Sequence, residues 1–230
     1  MTALVDEFIA PPCHEQIDVL YEDASILLIH KPSGLLSLSG KNPLNKDSVH
    51  YRLTQDYPTA TLVHRLDFGT SGIMLVALNK TVNANLTKQF QARTIRKKYI
   101  AFLEGSLSLA EGLIDFPIAK DKDNFPFQKI CYQEGKPAQS YFRVLERLTE
   151  PYITKVEFIP ESGRTHQLRI HSREIGHSIL GCDLYARHDV TKMADRLMLH
   201  AYELEFDHPV SAERIVGVSK LEPFSSSESF

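Results

Sequence analysis

Apolar residues in this chain come in short runs that stop at turn residues, and that spacing limits the fold more than any other feature. Residues 24–30 (ASILLIH) end at Lys31-Pro32-Ser33-Gly34, residues 73–78 follow Gly72, and residues 98–103 stop at Gly105. Apolar runs this short, bounded by Gly and Pro, predict buried strands. Residues 141–148 and 152–159 are also strand-like and predict a hairpin through Thr149-Glu150-Pro151. A last strand is predicted over 196–206, where Leu197, Leu199 and Ala201 alternate and the pattern breaks at Glu203. Helical signals are fewer. Residues 47–57 start at Asp47 and Ser48 as candidate caps and end before Pro58. Residues 81–93 set Val82, Leu86 and Phe90 on one helix face. Residues 165–175 open after Gly163-Arg164 and close at Gly176. Strands outnumber helices and the helices fall between them irregularly, which predicts α+β rather than a βαβ series. Residues 1–17 predict an irregular arm broken by Pro11 and Pro12, 225–230 a Ser-rich tail, and 18–224 a single domain with no composition break.

The net charge of −3 argues at first against a nucleic-acid partner. Its distribution argues the other way. Residues 1–30 hold six acids and no Lys or Arg, and 201–230 hold six acids and two bases, so 31–200 carry 24 bases against 17 acids. A basic centre between acidic ends fits a polyanion partner. Three widely spaced cysteines (Cys13, Cys131, Cys182) form no CxxC pair, which predicts neither a zinc site nor a disulfide framework and fits a reducing cytoplasm. The acidic N-terminus does not read as a signal peptide, and no apolar run reaches the length of a membrane span. No P-loop, GxGxxG or GxSxG pattern occurs, which disfavours nucleotide-dependent enzymes and α/β-hydrolases.

Three segments concentrate reactive side chains. His64-Arg65-Leu66-Asp67-Phe68-Gly69-Thr70-Ser71-Gly72 is a loop before an apolar strand, with Asp67 beside Arg65 and His64. A carboxylate next to cations can serve as nucleophile or base, or can form a structural ion pair with an Asx-type turn. Residues 162–171 (SGRTHQLRIH) are rich in donors at a helix start, which suits phosphate or carboxylate binding as well as a solvated helix face. His166 and His171 are five apart with no acid between them, a poor metal spacing. Residues 88–99 (KQFQARTIRKKY) hold five bases, no acid, and Phe90 and Tyr99. Cations for phosphates and rings for bases suit a nucleic-acid strand, while a charged helix end feeding a strand accounts for the same residues.

Together these segments resemble the RluA family of RNA pseudouridine synthases, and within it the short dual-specificity rRNA/tRNA type. The likeness rests on HRLDxxTSG at 64–72, KKY at 97–99 and GRTHQLRIH at 163–171. It extends to HKPSG at 30–34, GKPA at 135–138, GHSILG at 176–181 and RLMLHA at 196–201, and so covers about residues 18–208 in order. The resemblance implies a pseudouridine synthase fold: α+β, with a mixed, largely antiparallel central sheet flanked by helices and loops and the active site in a central cleft. It implies that Asp67 is the essential aspartate, that Tyr99 stacks on the target base and that Arg169 pairs with the aspartate. Arg65 would enter the RNA helix as the uridine flips out, and Leu168 would line the apolar wall beside the base. Lys88, Arg93, Arg96, Lys97 and Lys98 would hold phosphates, with His64 and Arg164 completing the RNA-binding set. The chain departs from the pattern at Cys182, which stands before Asp183 where the family has Asp after the glycine, and at Ser178, where Pro is common.

Isomerising uridine breaks N1–C1′ and remakes the bond at C5, so the implied reaction needs no cofactor and no metal. The implied partner is an rRNA or tRNA stem-loop, with no membrane, no obligate protein partner, a monomeric state and a cytoplasmic location. Two other readings remain at this level. One is an inactive RNA-binding protein of the same fold, against which the intact Asp67, Tyr99 and Arg169 argue. The other is a carboxylate glycosidase, which normally needs two opposed carboxylates where only Asp67 sits in a distinctive motif.

Overall fold

The computed structural model describes residues 8–221. In chain order the elements are β1 (Asp18–Glu22), β2 (Ile26–Lys31), α1 (Val49–Asp56), β3 (Thr61–Leu62), β4 (Ser71–Ala77), α2 (Lys80–Ala92), β5 (Arg96–Glu104), β6 (Glu111–Asp115), β7 (Ile118–Lys120), β8 (Gln128–Ile130), β9 (Gln139–Thr149), β10 (Tyr152–Pro160), α3 (Gln167–Glu174), α4 (His188–Thr191), β11 (Leu199–Asp207) and β12 (Arg214–Val218). The architecture is α+β, strand-rich and mostly antiparallel, with few helices. The described residues divide into two compact units, one of 8–96 and 203–219, the other of 97–202 and 220–221. Two of the three boundaries, 96/97 and 202/203, fall inside strands, β5 and β11, which is why no linker composition marks them.

In the first unit β2 pairs antiparallel with both β1 and β4. All seven residues of β4 (SGIMLVA) are buried, as are five of the six in β2, so the apolar runs are the buried strands that their length predicts. Register runs from Ile26↔Ala77 to Lys31↔Gly72. Asn79 caps α2 by accepting from Val82 N (3.0 Å), and Val82 and Leu86 are the buried face that the fourfold spacing predicts. Ser48, not Asp47, caps α1 (3.1 Å from Tyr51 N). Asp47 instead pairs with Arg52 (2.6 Å), which holds its carboxyl below the ordinary range. Residues 8–17 carry no regular structure, as the prolines predict.

In the second unit β10 lies between β5 and β9, and β6 pairs with the far side of β9, all antiparallel. The hairpin predicted through 149–151 joins β9 to β10. Its core includes Phe158, Leu103, Ile170, Ile179 and Leu180. Residues 196–198 are not part of the last strand. There Met198 N donates to Leu180 O (2.9 Å) and Met198 O accepts from Phe102 N (3.1 Å). Gly181 makes this approach possible: its φ is +68°, and a Cβ would lie 1.9 Å from Arg196 O. β1, β6, β7, β8, β12 and α4 are not among the elements that the sequence patterns predict. All five residues of β1 are exposed, β7 and β8 are three residues each, and β12 buries only Gly217. The Ser-rich tail predicted at 225–230 lies outside the described residues.

Leu75, fully buried in the middle of β4, tests this core. Leu75→Ala is expected to lower stability by about 2–5 kcal/mol, read from urea unfolding at equilibrium.

Candidate active site

Asp67 is half-buried in the loop that feeds β4. Because β2 ends opposite Gly72, the segment after β2 runs beside this loop and supplies its hydrogen bonds. Ser37 Oγ donates to Leu66 O (2.7 Å) and accepts from Leu66 N (3.1 Å). Gly34 N donates to Phe68 O (3.0 Å), and Ser33 Oγ donates to Gly69 O (2.7 Å). Thr70 N closes a turn onto Asp67 O (3.1 Å). Carbonyls 66 to 69 are thus each engaged, and the carboxylate sits on a backbone fixed on both sides. Of the loop's two glycines only Gly72 is at positive φ (117°). Gly34, at φ 75°, makes the opposing turn.

Within this unit His64 Nε2 accepts from Leu75 N (3.0 Å) and its ring lies 5.0 Å from Phe90, so this face of the ring anchors the loop to β4. Arg65, Lys88, Arg93 and Arg96 are exposed. Arg93 ends α2 in the left-handed region (φ 58°), and Arg96 is 3.9 Å from Glu205.

In the second unit, Lys97 and Lys98 are half-buried on β5. Tyr99 follows them, half-buried against the core and opposite Phe158. Leu168 belongs to that core at 6% exposure. Arg169 is 4% exposed. Its Nη2 donates to Asp183, its Nε to Cys182 Sγ (3.3 Å), and its guanidinium lies 5.4 Å over the Tyr185 ring. Cys182 and Asp183, where the sequence leaves the family pattern, therefore both touch this arginine. Tyr185 also bonds His166 Nδ1 (2.7 Å) through its hydroxyl, and His166 starts α3 in the left-handed region (φ 57°).

Gln167 organises the helix start. Its Oε1 accepts from Ser162 Oγ (2.8 Å) and Arg164 N (3.0 Å), and its Nε2 donates to Gln139 O and Ser140 Oγ (both 2.9 Å). His171 Nε2 donates to Phe116 O (3.0 Å), so neutral Nδ1 accepts from Ser140 Oγ (3.0 Å). Arg164 Nε donates to Pro137 O (3.2 Å). In the second unit Gln167, Tyr185 and Asp183, and in the first Lys31, which bonds Phe68 O, hold candidate residues or their loop and were not assigned by the sequence patterns. Lys31 had one physical signal, a cation closing an apolar run. Among the described residues no group of three or more His, Cys, Asp or Glu side chains is placed to hold a metal.

Residues 25–174 match the family model described as RNA pseudouridylate synthase. The chain belongs to this family. It is 48% identical over 191 residues to the dual-specificity RNA pseudouridine synthase RluA of Yersinia pestis, covering 83% of this chain and 92% of that one. To the enzyme of the same description from Escherichia coli strain K12 it is 45% identical over 199 residues, 86% of this chain and 90% of that one. The human RNA pseudouridylate synthase domain containing 1 superposes with a TM-score of 0.76 at 27% identity, over 91% of this chain and 85% of that one. The human domain containing 4 shares the fold, with a TM-score of 0.71 at 23% identity. The chain is an RNA pseudouridine synthase, an isomerase whose substrate is RNA.

Burial lowers the pKa of His171 from 6.5, with Phe116, Asp115 and Glu174 opposing. The unfolded chain therefore takes up this proton at higher pH than the folded one, so stability falls as pH drops through 6.5 and is level above it. Melting temperature measured against pH is expected to show that acid decline in the wild type and a shallower one in His171→Gln.

Proposed function

We propose that this enzyme isomerises a uridine in 23S rRNA, in the tRNA anticodon stem-loop, or in both, with Asp67, Tyr99 and Arg169 as its catalytic residues. The observation that carries the reading is Asp67 on a loop held at successive carbonyls, in a chain 45–48% identical to dual-specificity enzymes over most of its length. An ionised Asp67 either adds to C1′, removes the C2′ proton to give a glycal, or adds to C6 of the base. Each route releases uracil from N1, turns it, and rejoins it at C5, so no atom is gained or lost. A carboxylate kept ionised in a dry pocket needs a cation, the part given to Arg169, whose guanidinium cannot lose its proton. Tyr99 offers a flat face on which detached uracil turns, and its hydroxyl is the candidate acceptor of the C5 proton.

The uridine leaves its stack first, at a cost of a few kcal/mol, and the exposed Arg65 side chain is suited to the vacated space. Leu168 is assigned to the apolar wall beside the base. Lys88, Arg93, Arg96, Lys97, Lys98, Arg164 and His64 are assigned to the flanking RNA, where cations meet phosphates. A monomer acting in the cytoplasm suffices for this chemistry.

Asp67→Asn is expected to abolish pseudouridine formation while RNA binding survives, and turnover by that variant refutes the assignment. Tyr99→Phe keeps the ring but not the hydroxyl, so a normal rate removes the hydroxyl as the base. Carbodiimide mapping of total RNA from cells with and without the gene is expected to show pseudouridine lost from rRNA, tRNA or both. Loss from neither overturns the substrate.

A further inference from the structure

Residues 8–17 carry no regular structure, yet they are held at three points within the first unit. Asn45, 3% exposed, donates from Nδ2 to Phe8 O (2.7 Å) and accepts at Oδ1 from Ala10 N (2.8 Å), as a neighbouring strand would. Cys13 Sγ donates to Ser33 O (3.7 Å). Arg52, forked onto Asp47, also donates from Nη2 to Cys13 O (2.5 Å) and from Nη1 to Glu15 O (2.6 Å). Between these holds a cavity of about 200 Å³ lies against the arm, lined by Pro11, Pro12, Leu35, Leu36 and Leu44 among others. The arm is thus placed by hydrogen bonds to particular side chains rather than by continuous packing.

These holds deliver Phe8 to the Asp67 loop. Its ring meets the Phe68 ring edge-on, with centroids 5.5 Å apart and planes at 78°, a favoured geometry for an aromatic pair. Phe68 directly follows Asp67, and its carbonyl accepts from Gly34 N (3.0 Å). Hydrogen bonds fix the Phe68 peptide, but the ring is held by what packs on it. A ring without its neighbour exchanges among staggered rotamers and disturbs the residue beside it. Neither partner is fixed by the family pattern. Phe8 precedes the matched residues 25–174, and position 68 is one of the two open positions in HRLDxxTSG.

We propose that Phe8 is a positioning residue for pseudouridine formation: held through the arm by Asn45 and Arg52, it fixes the Phe68 side chain and through it the placement of Asp67. The proposal rests on the catalytic assignment of Asp67. An arm that touches RNA instead would show in affinity, and an arm that only stabilises the fold would show in melting temperature alone.

Single-turnover rates, RNA affinities and melting temperatures of wild type, Phe8→Ala, Phe8→Trp, Phe68→Ala, Asn45→Asp, Asp67→Asn and the doubles with Phe8→Ala test this. Phe8→Ala is expected to be slower by about 3–10-fold, the factor that the coupling of an aromatic pair supports, with RNA affinity unchanged. Phe8→Trp keeps a ring and is expected to recover most of the rate. Phe68→Ala is expected to be slow, and Phe8→Ala to slow it no further, because the contact is already gone. Asn45→Asp keeps the acceptor for Ala10 N but turns a carboxylate oxygen on Phe8 O. It is expected to slow the wild type and not Phe8→Ala. A folded Phe8→Ala with wild-type rate, a loss confined to RNA affinity, or rate losses that multiply in the Phe8→Ala, Phe68→Ala double overturns the proposal. Should Phe68→Ala fail to fold, the double with Asn45→Asp decides: no added loss supports the proposal, and multiplied losses overturn it. An active Asp67→Asn removes the catalytic assignment and this proposal with it. An inactive Asp67→Asn beside a fully active Phe8→Ala removes only the role of Phe8.

Discussion

The register of β2 against β4 governs everything around Asp67. Because Lys31 stands opposite Gly72, the chain leaving β2 and the chain entering β4 run side by side, and donors of the first meet carbonyls of the second. A slip of one residue would turn every side chain of β2 to the opposite face and bring His30 or Pro32 where Lys31 now sits. Such a slip is unfavourable, since five of six β2 side chains and all of β4 are buried. Ordinary apolar burial thus sets the backbone around Asp67 to hydrogen-bond precision.

The two units bury a cation each and settle it differently. Lys31 gives its hydrogens to dipoles, three carbonyl oxygens around one nitrogen. Arg169 has a carboxylate, a thiol and an aromatic face within its own unit. The difference follows from the side chains. An ammonium is a compact point with three donors, whereas a guanidinium is a plane that stacks and forks. A lysine in place of Arg169 would lose the ring contact with Tyr185, and an arginine in place of Lys31 would not fit among three carbonyls.

Strands whose burial is continuous were legible in the sequence. The runs behind β2, β4 and β5 emerge within a residue or two, and the fourfold spacing of Val82, Leu86 and Phe90 marks α2. β1 and β12 were not legible, because exposed strands owe their pairing to a neighbour rather than to their own pattern. Of the site, the motif residues were legible by resemblance and their supports were not. Gln167 and Tyr185 each reach a partner more than fifteen residues away, Gln139 and His166 respectively, and no local spacing encodes such contacts. Asp183 was visible only as a departure from the family pattern, whereas the structure gives it a specific contact with Arg169.

The hydrogen bonds at the start of α3 carry a further consequence. Arg164 N must donate to Gln167 Oε1, Gln139 O must accept from Gln167 Nε2, and Phe116 O must accept from His171 Nε2. With those ends fixed by backbone groups, Ser140 has to give its hydrogen to His171, and Ser162 has to give its own to Gln167. Ice satisfies its hydrogen bonds in very many proton arrangements, whereas this cluster admits one. Thermal disorder cannot enter it by flipping an amide or turning a hydroxyl, only by breaking a bond. The helix that presents Arg169 therefore begins from a lattice with no residual proton entropy.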